Sequence, residues 1–479
     1  MLQERQKVTE TINYLQEKGC HIVRTEVESP SNKRKRADLV GYIGMEGNDL
    51  LPKVVAEIRP MLKPETIQQV FSIAQDFDVP YVLIVTLEGK QWFSAKTLLP
   101  ITEPAFESES EYTFTIQPEM ISQVFKKCVH LFSQYGYMVH EVPNFLASAL
   151  LIRSYLYDRK QILKWRAIRD ITEYQDLFYE ACIRYNIEYL NDINIKGLSQ
   201  ALKELIVLMD ELPVQHTQLK NEFFSVITSA SGKSQGYYIP SVAISNLFKG
   251  ITKSLQIKDG KSIDLNVGYG ALLHEVAEVI NARTIQGIER NQAISTVAKM
   301  ISVFGERPWV EIITSDPLWF ERTSSENIYS SYSLAFAIPP FGLSIEKSAA
   351  NYDLEKFRVA VGRRKVDMAE LLLEQAIYMV QPGGHILYLV PEGMLFSLPS
   401  RITRDLIKEE TIIEGVISLP AHSLKPYTGI KTSLLILRKK QDRNETASEL
   451  FMSRPESVED FEETIRDFSN WKKGEKSFE

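Results

Sequence analysis

The stretch that decides the fold is Phe336-Ala337-Ile338-Pro339-Pro340-Phe341-Gly342. It closes an apolar run, Leu334 to Ile338, that has the composition of a buried strand. Proline cannot donate a hydrogen bond to a sheet ladder, so the two prolines end the strand and stiffen the loop that follows. In an open α/β sheet, ligands bind at the carboxyl ends of the strands. The stretch therefore predicts a binding loop at that edge of a sheet.

The size and composition of the chain are those of a globular protein with several domains. Its length of 479 residues allows about three domains of ordinary size. Hydrophobic residues make up 44% and charged residues 24% of the chain, as in soluble proteins. The net charge of −7 argues against a surface built for tight, non-specific nucleic-acid binding. A DNA contact is therefore expected to use local patches or a basic partner.

The cysteines and the apolar runs exclude several classes of protein. Cys20, Cys128 and Cys182 lie far apart, which excludes a zinc site made of cysteines alone and favours a reducing compartment. No apolar run approaches the roughly 20 residues of a membrane span, and the N-terminus lacks the pattern of a signal peptide. We therefore expect a cytoplasmic protein with no membrane partner.

Three acidic residues end predicted strands at the spacing of a Rossmann-like cofactor domain. Asp264 ends the first strand and precedes a turn with Gly268 and Gly270, which let the backbone approach a ligand closely. Glu289 ends the second strand, 25 residues after Asp264, and its carboxylate suits two ribose hydroxyls. Asp316 ends the third strand and can accept from an adenine amine. A Gly-x-Gly alone is weak evidence, but three endings in register predict a cofactor fold.

Residues 236–440 resemble the modification subunit of type I restriction systems, an adenine-specific DNA methyltransferase. The matching motifs are Tyr237-Tyr238-Ile239-Pro240, Pro339-Pro340-Phe341, Pro382-Gly383-Gly384, Pro391-Glu392-Gly393, Leu419-Pro420 and Tyr427-Thr428-Gly429-Ile430-Lys431-Thr432. The resemblance implies an S-adenosylmethionine site formed by Tyr238, Pro240, Asp264, Gly268, Gly270, Glu289 and Asp316. It also implies that the loop formed by Ile338, Pro339, Pro340 and Phe341 receives an adenine flipped out of DNA.

The chain departs from that family at the reacting centre. The family's loop begins with an asparagine whose side-chain oxygen accepts a hydrogen bond from the target amine, and Ile338 stands there. The Pro339 carbonyl and the Phe341 ring remain, but one acceptor aimed at a reacting centre is worth about a hundred- to thousand-fold in rate. Tyr269 is also bulky where a small residue is usual. Two interpretations stay open: an adenine methyltransferase with impaired transfer, or an inactive DNA-binding or assembly protein that keeps the folds.

The first hundred residues predict a small α/β domain. Their α-β-β-β-α-β order resembles the N-terminal, nuclease-fold domain of type I restriction endonuclease subunits. The shared features are Arg36-Ala37-Asp38, Glu57, Gln68-Gln69 and Asp78-Val79-Pro80-Tyr81. The resemblance implies a magnesium site at Asp38 and Glu57, but Arg59 stands where that family has lysine, and arginine cannot give up its proton. A magnesium-dependent nuclease is the third interpretation, and two carboxylates left on a retained fold are its alternative.

The middle of the chain predicts a helical domain, and the end predicts a charged helical tail. Basic residues on the helices favour a surface that faces DNA or a partner, with a solvated helix face as the alternative: Arg153, Arg159, Lys160, Lys164, Arg166 and Arg169. Ser229 to Ser234 predicts a linker. The segment after Lys440 is too short for a DNA-reading module of about 100 residues. We therefore expect DNA and a separate specificity subunit as partners.

Together these patterns predict an α/β protein with four segments. Residues 1–105 form the small restriction-endonuclease-like α/β domain and residues 106–235 the helical domain. Residues 236–440 form a Rossmann-like, S-adenosylmethionine-dependent methyltransferase domain, and residues 441–479 the tail.

Overall fold

The structure of the protein is a computed structural model. It describes residues 2–20, 22–29, 35–46, 49–61, 64–87, 89–104, 118–162, 164–188, 198–210, 212, 214, 217–231, 238–257, 260–280, 284–305, 309–320, 331–346, 354–425, 427–446 and 449–474. The chain divides into two compact units, Met1–Ile121 and Ser122–Glu479. The predicted helical domain therefore belongs to the same unit as the predicted cofactor domain. No helix in the described ranges is both long and apolar enough to cross a membrane.

The small unit is built on one twisted sheet. Its elements are α1 (Leu2–Glu17), β1 (Ile22–Glu28), β2 (Arg36–Glu46), β3 (Asp49–Ile58), α2 (Pro64–Asp76), β4 (Tyr81–Val85), β5 (Lys90–Ser94) and β6 (Pro100–Ile101). The strands lie in sequence order, and β3 and β4 run parallel because α2 forms the crossover between them. Phe71 of α2 packs edge-on against Phe93 of β5, with ring centroids 5.7 Å apart. The sequence predicted the order from α1 to β4, but not the strands β5 and β6.

The first part of the large unit is helical. Its helices are α3 (Pro118–Gln134, which begins just before the unit), α4 (Val142–Asp158), α5 (Lys164–Ala167), α6 (Ile171–Arg184), α7 (Leu202–Asp210) and α8 (Thr217–Ser231). Helix α4 is buried from Val142 to Leu156 on all faces except at Asn144. A helix that is apolar nearly all round lies in a core rather than at a surface. Helix α8 also continues through Ser229, where a linker was predicted, and residues 232–237 lie outside the described ranges.

The prediction of an exposed basic surface is wrong for Arg153. Arg153 is only 3% exposed, and its guanidinium donates to the carbonyls of Met209 and, at 2.7 Å, of Leu212. Arg166 is exposed and pairs with Asp210 at 2.5 Å. Both side chains thus contact the carboxyl end of α7, where backbone carbonyls lack partners within the helix. The other four residues are also exposed: Arg159, Lys160, Lys164 and Arg169.

The second part of the large unit is a doubly wound sheet. Its elements are α9 (Val242–Ser254), β7 (Lys261–Asp264), α10 (Ala271–Ala277), β8 (Thr284–Glu289), α11 (Gln292–Phe304), β9 (Val310–Thr314), β10 (Tyr332–Ala337), β11 (Ser344–Glu346), β12 (Lys365–Asp367), α12 (Met368–Met379), β13 (Val380–Pro391), α13 (Glu392–Phe396), α14 (Arg401–Glu410), β14 (Thr411–Ser418), β15 (Thr432–Lys439), β16 (Phe451–Ser453) and α15 (Phe461–Lys473). The strand order is β16-β14-β15-β13-β10-β7-β8-β9. The predicted Rossmann-like fold is confirmed.

The strand order places one switch point in the centre of this sheet. The chain runs outward from β7 through β8 to β9, then returns to β10 on the other side of β7. All six residues of β10 are buried, as expected for a central strand. A ligand binds where the winding direction changes, outside the carboxyl ends of the strands. The fold therefore directs attention to the ends of β7, β8, β9 and β10.

The predicted tail is part of the large sheet. Strand β16 pairs in parallel with β14, and Phe461 and Phe468 of α15 are buried. Helix α15 also packs closely against α9. The fit requires glycine at position 250, since a Cβ there would lie 2.5 Å from the Ile465 side chain. The segment is charged on its outer face only, which explains why its composition predicted a separate tail.

Candidate functional site

A cavity of about 490 Å³ opens at the carboxyl edge of the large sheet. Its lining includes Tyr238, from the segment before α9, and residues that end or follow β7, β8, β9 and β10: Asn266, Gly268, Tyr269, Glu289, Arg290, Asp316, Pro339 and Pro340. Predicted cofactor residues and predicted substrate-loop residues thus share one cavity. Five members of the predicted site do not line the cavity: Pro240, Asp264, Gly270, Ile338 and Phe341.

The turn after β7 forms the floor of the site. Gly268 and Gly270 have φ values of +55° and +94°, a conformation that other residues adopt only with strain. A Cβ on Gly270 would also meet the His274 ring at 3.3 Å. The backbone N–H of Val267 donates to the Ile288 carbonyl at 3.1 Å, which fixes the turn against β8. The glycines predicted from the sequence are therefore required by the backbone.

Asp264 is buried beneath that turn. One of its carboxylate oxygens accepts the backbone N–H of Asn266 at 3.0 Å, and only 1% of the residue is exposed. Burial raises the pKa of the Asp264 carboxyl to about 7, and the Asn266 N–H offsets part of the rise. The folded protein therefore holds this proton more tightly than the unfolded chain does.

We expect the free energy of unfolding of the large unit to fall as the pH rises from 5 to 8. A carboxyl whose pKa is raised on folding stabilises the protein below its unfolded pKa, and that contribution is lost as the pH passes the folded value near 7. The Asp264→Asn variant should lose the part of this pH dependence that comes from Asp264, which is a few kcal/mol at most. Urea unfolding at several pH values measures the difference. Asp405→Asn, in an exposed pair with Arg401, is the control, and an unchanged pH profile for Asp264→Asn would contradict the assignment.

Glu289 brings a second buried carboxylate to the wall of the cavity. It is 8% exposed and accepts the backbone N–H of Asn291 at 2.7 Å. Burial raises the pKa of Glu289, while backbone N–H groups of Asn291 and Gly268 lower it. The backbone holds the carboxylate in place, so it is preorganised to accept hydroxyl groups.

Asp316 also lines the cavity and follows β9. One of its oxygens accepts the backbone N–H of Leu318 at 3.0 Å, and the other lies 3.6 Å from Nε of Arg290. Arg290 is mostly exposed and also lines the cavity. Sequence patterns did not single out Arg290, because a lone arginine after a strand carries no motif.

The proline loop closes the cavity on the side of β10. The Ile338 side chain is 5% exposed and belongs to the apolar cluster that also contains Val267 and Phe336. The Ile338 carbonyl accepts from the side-chain amide of Asn266 at 2.9 Å. Asn266 thus ties the proline loop to the turn after β7, a link between distant segments that no local pattern predicts.

The aromatic residues of two matched motifs also meet beside the cavity. Tyr238, from the entry segment, and Tyr427, from the connection before β15, pack edge-on with ring centroids 5.1 Å apart. Phe341 is half-buried and packs against the apolar cluster that contains Ile338. Tyr237 and Pro426 lie outside the described residues. The β14–β15 connection therefore packs against the entry segment, whose Tyr238 lines the cavity.

The predicted magnesium residues of the small unit lie side by side, but an arginine joins them. Arg59 lies 2.9 Å from a carboxylate oxygen of Asp38 and 2.6 Å from one of Glu57. Within the described ranges, no group of three or more His, Cys, Asp or Glu side chains could hold a metal ion. With Arg59 between the carboxylates, the residues present do not fit magnesium.

Comparisons with known proteins agree with the sheet topology. The model of a family described as N-6 DNA methylase matches residues 221–475. A modification subunit of a putative type I restriction enzyme from Vibrio vulnificus YJ016 is 15% identical, with a TM-score of 0.54 over 74% of this chain and 90% of that one. The type I restriction-modification methyltransferase subunit from Streptococcus thermophilus is also 15% identical, with a TM-score of 0.53 over 76% and 94%. At this identity the similarity to solved structures shows the fold alone. No curated protein sequence matches the chain.

Proposed function

Because the chain belongs to the N-6 DNA methylase family, we propose that it binds S-adenosylmethionine and transfers methyl to the exocyclic amine of adenine in DNA. The observation that carries the proposal is the shared cavity. Glu289 and Asp316 line one side of it, and Pro339 and Pro340 line the other. This arrangement offers a cofactor site and a base-presenting loop at one sheet edge.

The cofactor site is assigned to residues with matching chemistry. Glu289, buried and held by backbone N–H groups, accepts the ribose hydroxyls. Asp316 accepts the adenine amine of the cofactor. Gly268 leaves the turn open, since a Cβ there would meet no atom within 4 Å. S-adenosylmethionine supplies an electrophilic methyl group, and every other contribution comes from the chain.

The proline loop positions the target amine. The Pro339 carbonyl accepts one N–H of the adenine amine and orients its nitrogen toward the methyl group. Asn266 holds the preceding carbonyl, of Ile338, and so fixes the loop against the cofactor turn. When methyl moves from the cofactor sulfur to the amine nitrogen, the nitrogen releases a proton to solvent, and Ile338 provides no side-chain oxygen that would accept a hydrogen bond from the amine. Transfer is therefore expected to be slow.

We further propose that the chain acts as a modification subunit beside a separate specificity subunit. Both similar structures reported above are subunits of type I systems. The net charge of −7 supports a partner that supplies basic DNA contacts.

Methyl transfer from tritiated S-adenosylmethionine to DNA, with and without candidate specificity subunits, tests the function. Calorimetry first measures cofactor binding to the protein alone. We expect the protein to bind the cofactor with or without a specificity subunit. We also expect slow incorporation of the label into adenine. An absence of cofactor binding would contradict the proposal.

A non-catalytic assembly role is the second candidate, and the burial of Ile338 in the apolar cluster favours it. The Ile338 side chain is apolar and packs into the core, so it offers no hydrogen-bond acceptor to a base in the cavity. Cofactor binding without incorporation into any DNA, with any partner, would support this role over transfer.

A further inference from the structure

The small unit contains a charge arrangement that methyl transfer does not use. Asp38 on β2 and Glu57 on β3 face each other across the antiparallel pair, and the Asp38 backbone N–H donates to Glu57 at 3.3 Å. The Glu57 side chain is fully buried, and the Asp38 side chain is 26% exposed. Two carboxylates this close repel each other unless a cation lies between them.

Arg59 provides that cation. Its two terminal nitrogens bind different carboxylates, Nη1 with Asp38 at 2.9 Å and Nη2 with Glu57 at 2.6 Å. The Asp38 oxygen bound by Arg59 also accepts the Ile58 backbone N–H at 2.8 Å. Three of the four carboxylate oxygens therefore have a partner within the protein, two through backbone N–H groups and the second Glu57 oxygen through its ion pair with Arg59 alone. A metal ion would have to replace these contacts.

The protein also supplies the positive charge at this position. The Arg59 guanidinium, which stays protonated, lies beside both carboxylates. A divalent ion would have to displace that guanidinium to reach them.

We propose that Arg59 is a built-in counter-ion that occupies the place of a divalent metal between Asp38 and Glu57. The small unit accordingly binds no magnesium and cleaves no DNA, and its sheet is retained without the chemistry its carboxylate pair implies. Removing the guanidinium opens a divalent cation site. This inference does not depend on the proposed methyl transfer, which belongs to the other unit.

Manganese binding by the full-length protein tests this inference. Electron paramagnetic resonance of free Mn²⁺ gives the bound fraction for the wild type, Arg59→Ala and the double variant Arg59→Ala/Asp38→Asn. We expect Arg59→Ala to bind Mn²⁺ at least about tenfold more tightly than the wild type, because one positive charge close to two carboxylates is removed. The double variant should lose that gain.

Arg36→Ala is the matched control. Arg36 is a neighbouring arginine on β2 whose exposed side chain pairs with Glu28 at 2.9 Å, so its loss changes the net charge without touching the carboxylate pair. Mn²⁺ binding should not change in this variant. If Arg59→Ala fails to fold, Arg59→Gln takes its place. The rise in thermal unfolding temperature caused by Mn²⁺ then compares metal binding by this variant with that by the wild type.

Three outcomes would overturn the inference. Wild-type protein binding Mn²⁺ as tightly as Arg59→Ala would show that the guanidinium does not block the site. Folded Arg59→Ala and Arg59→Gln variants without any gain would show that no site lies beneath it. Magnesium-dependent DNA cleavage by the wild type that disappears in Asp38→Ala would identify an active nuclease.

Discussion

Replacing Ile338 with asparagine is expected to raise methyl transfer to adenine by about a hundredfold. The substitution supplies a side-chain oxygen next to the Pro339 carbonyl, so the amine of the target base gains a second acceptor. The new amide cannot remain in the apolar cluster without partners, since a buried unpaired amide costs about 1–3 kcal/mol. It is therefore driven toward the cavity, which Asn266 also lines.

Single-turnover incorporation of tritiated methyl, normalised to the folded fraction, measures this gain. Ile338→Val is the matched control, because it keeps the apolar contacts and adds no acceptor. The valine variant should transfer at the wild-type rate and lose about 0.5–1.5 kcal/mol of stability. Equal rates for folded Ile338→Asn and the wild type would show that the loop does not present a base, and the assembly role would then be favoured.

Replacing Glu289 with glutamine is expected to weaken S-adenosylmethionine binding by about 10- to 100-fold. Hydrogen bonds to a charged group are worth about 1.5–3 kcal/mol, and the amide accepts through only one of its two ends. The wild-type carboxylate should also bind less well as the pH falls, because burial raises the pKa of Glu289 and protonation removes an acceptor.

Calorimetric titration of the cofactor analogue S-adenosylhomocysteine gives the affinities. Glu311→Gln is the control, since Glu311 lies on the adjacent strand β9, is exposed, and bonds to Gln286 at 2.7 Å. An unaltered affinity in a folded Glu289→Gln protein would remove the residue from the cofactor site. A loss of affinity in both variants would point to a general effect of charge instead.

The strand ends and the turn that form the site could be predicted from the sequence. Asp264 and Glu289 end their strands, Asp316 follows β9 by two residues, and parallel strands bring their carboxyl ends to one edge. Once the three strands are identified, the edge follows. The tight turn at Gly268 and Gly270 could also be predicted, because glycine adopts the positive φ angles of such a turn more easily than other residues do.

Long-range contacts explain what the sequence could not show. Arg153 looked like a surface cation, but its environment is set by α7, more than 40 residues away. Asn266 has no motif, and its role arises only because the β7 turn and the proline loop meet in space. The bridging position of Arg59 likewise needed the pairing of β2 with β3. The substitution was visible in the sequence, and the resemblance implied that Asp38 and Glu57 lie together, but the contact of the guanidinium with both carboxylates was not predicted.

The close fit of Gly250 against Ile465 has a consequence for synthesis of the chain. Roughly 200 residues separate the two positions. A ribosome that adds about 5–20 residues per second needs on the order of 10–40 seconds to synthesise the chain between them. Until α15 emerges, one face of α9 remains uncovered in the nascent protein. Slow decoding or stalling between the codons for Gly250 and Ile465 should therefore prolong an exposed apolar state that chaperones can bind and in which neighbouring chains can aggregate.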